Sequence, residues 1–237
     1  MVKNKLHIIG CSFSTHRFFD LEPGDYPNDP SNYARIVAKN LNLEPEGYAK
    51  EGQGNPFMLN CLKQYRDLFA VDDIVLIQLS HPERLFNTIP GFGDIKIVEC
   101  FDPVPAQCET AGVDADEFKN FAYVYDKCFR DDMYTHDLYC DAIVAECLSL
   151  PCKSIILPIH NTNDYIRKYR EFDKIAFCTS PWSYWPDFDT KYGVYNNEIL
   201  ADDSRFDHLN DEYHSKCGHQ IIKDLKKQGL IKFFENV

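Results

Sequence analysis

Asp73-Ile-Val-Leu-Ile-Gln-Leu79 is the stretch that decides the fold. It is nearly continuously apolar and rich in β-branched side chains, which suits a central strand covered on both faces rather than one alternating between core and water. Working outward, Leu6-His-Ile-Ile9 is a short apolar run stopped by Gly10, and further runs stand near Tyr48-Ala49, at Ser154-Ile-Ile-Leu157 and at Ile175-Ala-Phe-Cys178. Helical periodicity fills the intervals. Tyr33, Ile36, Val37 and Leu41 recur at three and four, with Asp29 or Ser31 beside Pro30 as start chemistry. A second helix carries Phe57, Leu59, Leu62, Tyr65 and Leu68-Phe69, following Gly52-Gln-Gly54-Asn55-Pro56. A helical region repeats Phe118, Phe121, Ala122, Tyr125, Cys128 and Phe129 and continues through Leu138, Ala142 and Ala145. Another helix contains Tyr165, Ile166 and Tyr169, and the last places His214, Cys217, Gly218, Ile221, Ile222 and Leu225 on one stripe before Gly229. Strands alternating with helices predict an α/β fold: a three-layer α/β/α sandwich of flavodoxin-like type with a mostly parallel sheet of about five strands.

The chain has 237 residues, 26% charged and 44% apolar, which predicts one globular domain over residues 1–237. Residues 20–32 read as a long polar, Pro-rich loop, residues 90–115 as an irregular insertion, and residues 180–205 as an aromatic loop. Lys+Arg 25 against Asp+Glu 37 gives a net charge of −12, with no basic block to track a phosphate backbone, so nucleic acid and anionic membranes are poor partners. No apolar run reaches the ~18 residues of a membrane span. The ten cysteines lack CxxC pairs, and several fall inside apolar segments, as Cys100, Cys147 and Cys178 do. They read as reduced, partly buried thiols. The short apolar stretch ending at Gly10 is too brief for a signal peptide, and a reducing cytoplasm is the expected location.

Open α/β sheets bind ligands beyond the carboxyl ends of their strands, which directs attention to the loops after Ile9, Ala49 and Leu79 and to the segment before the last helix. The first offers Gly10-Cys11-Ser12-Phe13-Ser14. A hydroxyl just past a strand and beside a glycine is placed for nucleophilic attack if a base reaches it, although a serine there also serves as a turn or cap residue. The candidate base is His208, in the polar run Phe206-Asp207-His208-Leu209-Asn210-Asp211-Glu212; the plainer reading is a helix entry capped by Asn210.

That pairing of an N-terminal Gly-x-Ser with a C-terminal Asp-His resembles the SGNH hydrolases, the GDSL family of esterases and lipases. Their first block, Gly-Asp-Ser-hydrophobic-Ser/Thr, is similar to Gly10-Cys11-Ser12-Phe13-Ser14, with Cys11 in place of Asp. Their last block is similar to Asp207-His208-Leu209-Asn210, and their second to Tyr48-Ala-Lys-Glu-Gly52-Gln-Gly54-Asn55. The resemblance implies a Ser12 nucleophile, a His208 base, and Ser12 and Gly52 backbone amides as oxyanion donors. It implies an ester hydrolase working through an acyl-enzyme on a small-molecule or glycan ester, without metal or other cofactor. An O-acyltransferase, or a binding or assembly protein that has lost turnover, is the alternative.

The chain departs from the family pattern twice. In place of Gly-x-Asn-Asp after the central strand stand Gln78-Leu79-Ser80-His81-Pro82-Glu83-Arg84, so the usual Asn donor is missing and Asn55 is the candidate replacement. The triad acid usually sits three residues before the His, where this chain has Arg205; Asp207 is the first choice and Asp203 the second. Ser80 and His81 could line the pocket or cap a helix start, and Trp182, with Tyr184 and Trp185, could stack on a sugar or acyl group or pack on its own domain. A zinc site built on His208, His214, Cys217 and His219 is disfavoured because His214 and Cys217 lie on the apolar stripe of the last helix. Cys11 as a thiolate nucleophile is disfavoured because strand alternation turns it away from Ser12.

Overall fold

The computed structural model describes residues 3–11, 14, 21–25, 32–49, 54–80, 85–89, 93–97, 114, 116–117, 120, 132–158, 173–179 and 211–228. In chain order these form β1 (Lys5–Gly10), β2 (Leu21–Asp25), α1 (Tyr33–Leu41), β3 (Glu44–Ala49), α2 (Asn55–Gln64), a 3₁₀ turn (Arg66–Leu68) and β4 (Ile74–Gln78). There follow β5 (Leu85–Ile89), β6 (Gly93–Ile97), α3 (Asp132–Ser149), β7 (Lys153–Leu157), β8 (Ile175–Phe177) and α4 (Asp211–Lys227).

The main sheet runs β2-β3-β1-β4-β7-β8. Its strands β3, β1, β4, β7 and β8 are mutually parallel, and β2 joins antiparallel at the edge beside β3. Numbered along the chain, the five parallel strands stand second, first, third, fourth, fifth, the doubly wound order of the flavodoxin type. Every residue of β4 is buried, which is why its sequence shows no polar alternation. The crossover from β1 through α1 moves outward to β3, and the crossover from β3 through α2 returns past β1 to β4. Right-handed connections running in opposite directions put their helices on opposite faces. Accordingly α1 packs with α4, and α2 with α3. The α1–α4 contact is close because residue 218 is glycine: a Cβ there would lie 2.8 Å from Ile36 Cβ and 2.9 Å from the Tyr33 carbonyl oxygen.

Three expectations need correcting. Within the stretch read as a Pro-rich loop, Leu21–Asp25 is a strand. Proline is tolerated only at sheet edges and irregularities, and β2 is both outermost and shifted in register. Within the stretch read as irregular, Gly93–Ile97 pairs antiparallel with Leu85–Ile89. Asp94-Ile-Lys-Ile97 does alternate at period two, but the run is too short to stand out from its glycines. Helix α1 is capped by Asn32, whose side chain accepts from Ala34 N at 2.8 Å, rather than by Asp29 or Ser31. The helical pattern from Phe118 to Phe129, the helix around Tyr165 and the aromatic loop lie outside the described residues.

The amino-terminal end of the sheet is held by Asp73, just before β4. Its Oδ1 accepts from Lys5 N at 2.7 Å, and its Oδ2 accepts from Ala70 N at 2.9 Å and lies 3.0 Å from His7 Nε2. The buried His7 ring packs at 4.8 Å from that of Phe69. Chemistry on this fold belongs at the other end.

Candidate active site

Beyond the carboxyl ends of β1 and β4 the chain departs in opposite directions, toward β3 and toward β7. This is the switch point at which doubly wound sheets bind ligands. Two sets of hydrogen bonds span it.

The first centres on Gln78, the last residue of β4 and fully buried. In the β1–β4 register Ile9 lies beside Ile77, so Gly10 falls beside Gln78. Gln78 Oε1 accepts from Cys11 N at 3.2 Å, Cys11 Sγ at 3.1 Å and Ser14 Oγ at 3.1 Å. Its Nε2 donates to the Leu79 carbonyl. Cys11 N–H can only donate, so the oxygen of the amide must face the turn. Ser14 Oγ spends its one proton on Gln78, and therefore accepts from the Tyr33 hydroxyl 2.6 Å away. Burial raises the Tyr33 phenol well above its ordinary value, which keeps it an O–H donor. Asn32 Nδ2 donates to the Ser14 carbonyl at 3.0 Å, so the residue that caps α1 also holds the turn. The turn closes on itself where Ser14 N donates to the Cys11 carbonyl at 2.8 Å.

Gly10 makes this closure possible. A Cβ at residue 10 would sit 2.1 Å from Ser14 Oγ and 3.1 Å from Gln78 Oε1. The Tyr33 ring also stacks on His214 of α4, with centroids 5.8 Å apart and planes 19° from parallel. The turn after β1 is thereby linked to the helix that follows His208 in the chain.

The second set involves Asn55. Helix α2 begins at this residue, with Gly54 as its cap and Pro56 within its first turn. Asn55 is 3% exposed, and its Oδ1 accepts from Ser80 N at 2.8 Å, two residues past β4. That bond fixes the amide plane and turns Oδ1 toward the β4 loop.

Of the residues singled out from the sequence, Asn55, Ser80 and Cys11 are thus brought to the switch point, and all three are buried. Ser12, His208, Asp207, Asp203, Gly52, His81 and Trp182 lie outside the described residues. Cys11 is fully buried, with its thiol directed at Gln78. Cys61, Cys140, Cys147, Cys152, Cys178 and Cys217 are likewise buried and in the thiol form. His214 and Cys217 are buried as the apolar stripe of α4 suggested, and among the described residues no group of three His, Cys, Asp or Glu could hold a metal ion. No helix of the described residues is long and apolar enough to cross a membrane. Sequence reasoning missed Gln78, Tyr33 and Asn32. Gln78 carried a signal: a lone amide in a strand buried on both faces needs hydrogen-bond partners from somewhere.

No family model and no curated protein matches the chain. Among solved structures it is similar to an acetyl xylan esterase from the rumen bacterium Butyrivibrio proteoclasticus, at 14% identity and a TM-score of 0.52, covering 96% of this chain and 65% of that one. A Bacillus subtilis protein is similar at 13% identity and a TM-score of 0.50, covering 97% and 58%. A lipolytic protein of the G-D-S-L family from Desulfitobacterium hafniense gives 12% identity and a TM-score of 0.49, covering 94% and 99%. The fold is shared with the acetyl xylan esterase and the Bacillus protein. It is an α/β fold with a doubly wound, mostly parallel sheet, and at these identities the likeness is one of fold alone. This chain spans less than two thirds of the acetyl xylan esterase and of the Bacillus protein.

Proposed function

We propose that this chain is a serine-dependent hydrolase of carboxylic esters, with Ser12 as nucleophile. The observation that supports it most is the turn closed between Cys11 and Ser14 at the switch point, since these two residues bracket Ser12 in the sequence. On this reading Ser12 Oγ attacks the acyl carbonyl carbon while His208 takes its proton, and Asp207, or failing it Asp203, orients the imidazole. The carbonyl oxygen becomes an oxyanion that receives hydrogen bonds from the Ser12 and Gly52 amides and from Asn55 Nδ2. Collapse of the tetrahedral intermediate expels the alcohol, which leaves with the proton from His208. Water, deprotonated by His208, then releases the acid and restores Ser12. Small-molecule or glycan O-acyl esters are the proposed substrates, with Ser80, His81 and Trp182 lining the pocket, and the cytoplasm is the proposed location. Capture of the acyl-enzyme by an alcohol instead of water would make the same machinery an O-acyltransferase.

One observation favours a second reading, a binding or assembly protein without turnover: Gln78-Leu79-Ser80-His81-Pro82-Glu83-Arg84 stands where the family carries Gly-x-Asn-Asp. Hydrolysis of p-nitrophenyl acetate separates the two. Ser12→Ala should abolish turnover and labelling by a fluorophosphonate while leaving the thermal midpoint nearly unchanged. Cys11→Ala should keep most of the activity and lower stability modestly, because it removes a buried thiol. Activity lost in Cys11→Ala but kept in Ser12→Ala would replace serine chemistry with thiol chemistry, and no activity or labelling in the wild type would favour the binding protein.

A further inference from the structure

We propose that Gln78 is the positioning residue of the serine turn, its buried Oε1 gathering Cys11 N–H, Cys11 S–H and Ser14 O–H so that Cys11 and Ser14, which bracket Ser12 in the sequence, are tied to the end of β4. The inference rests on the proposed role of Ser12, and it concerns how that hydroxyl is aimed.

The other four residues of β4 are Ile74, Val75, Leu76 and Ile77, all buried and apolar. An amide in such a strand is costly to desolvate unless its hydrogen bonds are made, and packing alone would be served by another aliphatic side chain. All three donors to Oε1 come from the turn after β1, and none comes from the rest of the sheet. The Nε2 donation to Leu79 sets the direction in which Oε1 points. The same end of β1 omits a side chain at Gly10, where a Cβ would collide with Ser14 Oγ and crowd Gln78 Oε1. The omission at residue 10 and the amide at residue 78 thus meet at one point, the Ser14 hydroxyl.

The arrangement also exploits where rigidity lies. The carboxyl end of β4 is flanked by β1 and β7, and the next residue is still tied to the sheet, since Leu79 N donates to the Leu157 carbonyl at 2.9 Å. A nucleophile held from such a point is kept near attack geometry, and a misplacement of about 1 Å can cost on the order of 10²-fold in rate. Tyr33 and Asn32 hold Ser14 from the α1 side, so Gln78 sets one half of the clamp.

The test uses the full chain and three variants. Gln78→Met keeps length and volume but removes the acceptor. Gln78→Glu restores an acceptor oxygen. Ser14→Ala removes a single donor and is the milder change should Gln78→Met fail to fold. Thermal midpoints, kcat and KM for p-nitrophenyl acetate, and the rate of Ser12 labelling by a fluorophosphonate are measured on each. The expected result is a kcat and labelling rate about 10²-fold lower in Gln78→Met with KM little changed, about tenfold lower in Ser14→Ala, and closer to wild type in Gln78→Glu than in Gln78→Met. Wild-type labelling rates in folded Gln78→Met or in Ser14→Ala would overturn the positioning role and leave serine chemistry intact. A wild-type protein never labelled at Ser12 would overturn both.

Discussion

Asn55 offers the sharpest separation of a structural from a chemical role, because the two ends of its amide do different things. The acceptor end holds Ser80 N–H at 2.8 Å in a buried environment. The donor end is the proposed substitute for the Asn that the family carries after the central strand. Asn55→Ala removes both ends and leaves the Ser80 N–H buried without its acceptor, at a cost of about 1–3 kcal/mol. For a chain of this size that lowers the thermal midpoint by about 2–4 °C per kcal/mol. Asn55→Asp keeps an oxygen for Ser80 and places its charge in the first turn of α2, where the helix dipole favours it, so stability should stay within about 1 kcal/mol of wild type. Both variants lack the NH₂ group, and both should lose about 10²–10³ in kcat with KM little changed, the loss produced by removing a donor that acts mainly in the transition state. Thermal melts and steady-state kinetics on the pair decide the matter. A fully active Asn55→Asp protein would refute the donor role, and if Asn55→Ala were also destabilised yet active, the residue would be a bolt between α2 and the β4 loop and nothing more.

At the opposite end of the sheet, Asp73→Ala should leave Lys5 N, Ala70 N and His7 without their shared acceptor and cost about 3–5 kcal/mol in a urea melt. Its rate of fluorophosphonate labelling at Ser12 should match wild type below the melting range, and a large loss there would show that the two ends of β1 are coupled. Alkaline pH should destabilise the fold through its buried thiols. Burial pushes Cys147 from 9.0 up to about 12 and Cys152 from 9.0 up to about 11, while Cys178 and Cys217 also move up. The folded state therefore holds protons that the unfolded state releases, so this stability is complete below about pH 9 and declines as pH rises toward the folded values. Urea midpoints that stay flat between about pH 9 and 11 would contradict the shifts.

The fold was legible because its elements carry strong periods: an unbroken apolar run in β4, and three-and-four spacing in α1 and α4. Such signals are local, and they survive whatever the rest of the chain does. The α1 cap was not legible, since Asp29, Ser31 and Asn32 are all good caps and the choice falls to the one whose Nδ2 also reaches the Ser14 carbonyl. The site divides in the same way. Gly10 announced a turn from the sequence, but its reason is the Ser14 and Gln78 side chains, one of them 68 residues away along the chain. Asn55 could be read as oxyanion donor or helix starter. The structure gives the capping position to Gly54 and turns the Asn55 side-chain Oδ1 to Ser80 N–H, a contact between segments distant in sequence that no local pattern encodes.

Both sets of hydrogen bonds at the switch point end on β4 or the two residues that follow it. Gln78 accepts from Cys11 and Ser14, which bracket Ser12 in the sequence, and Ser80 N–H donates to the side-chain amide of Asn55 at the start of α2. In the family pattern the segment after the central strand contributes a donor of its own, whereas here the same strand end grips the two neighbours that carry the proposed nucleophile and donor. On the proposed reading, the missing Asn is then a transfer of duty rather than a plain loss. The proposed donor stands at the start of α2, and the end of β4 is the fixed point to which both it and the turn after β1 are referred. A donor moved this way stabilises an oxyanion only if its aim relative to the nucleophile is set by something rigid. The most buried strand of the sheet is the element best able to supply that rigidity. The consequence is specific: damage at Gln78 should misplace the nucleophile and leave Asn55 in position, damage at Asn55 should do the reverse, and because both act on one transition state through one strand, the double variant Gln78→Met/Asn55→Ala should fall short of the product of the two single losses.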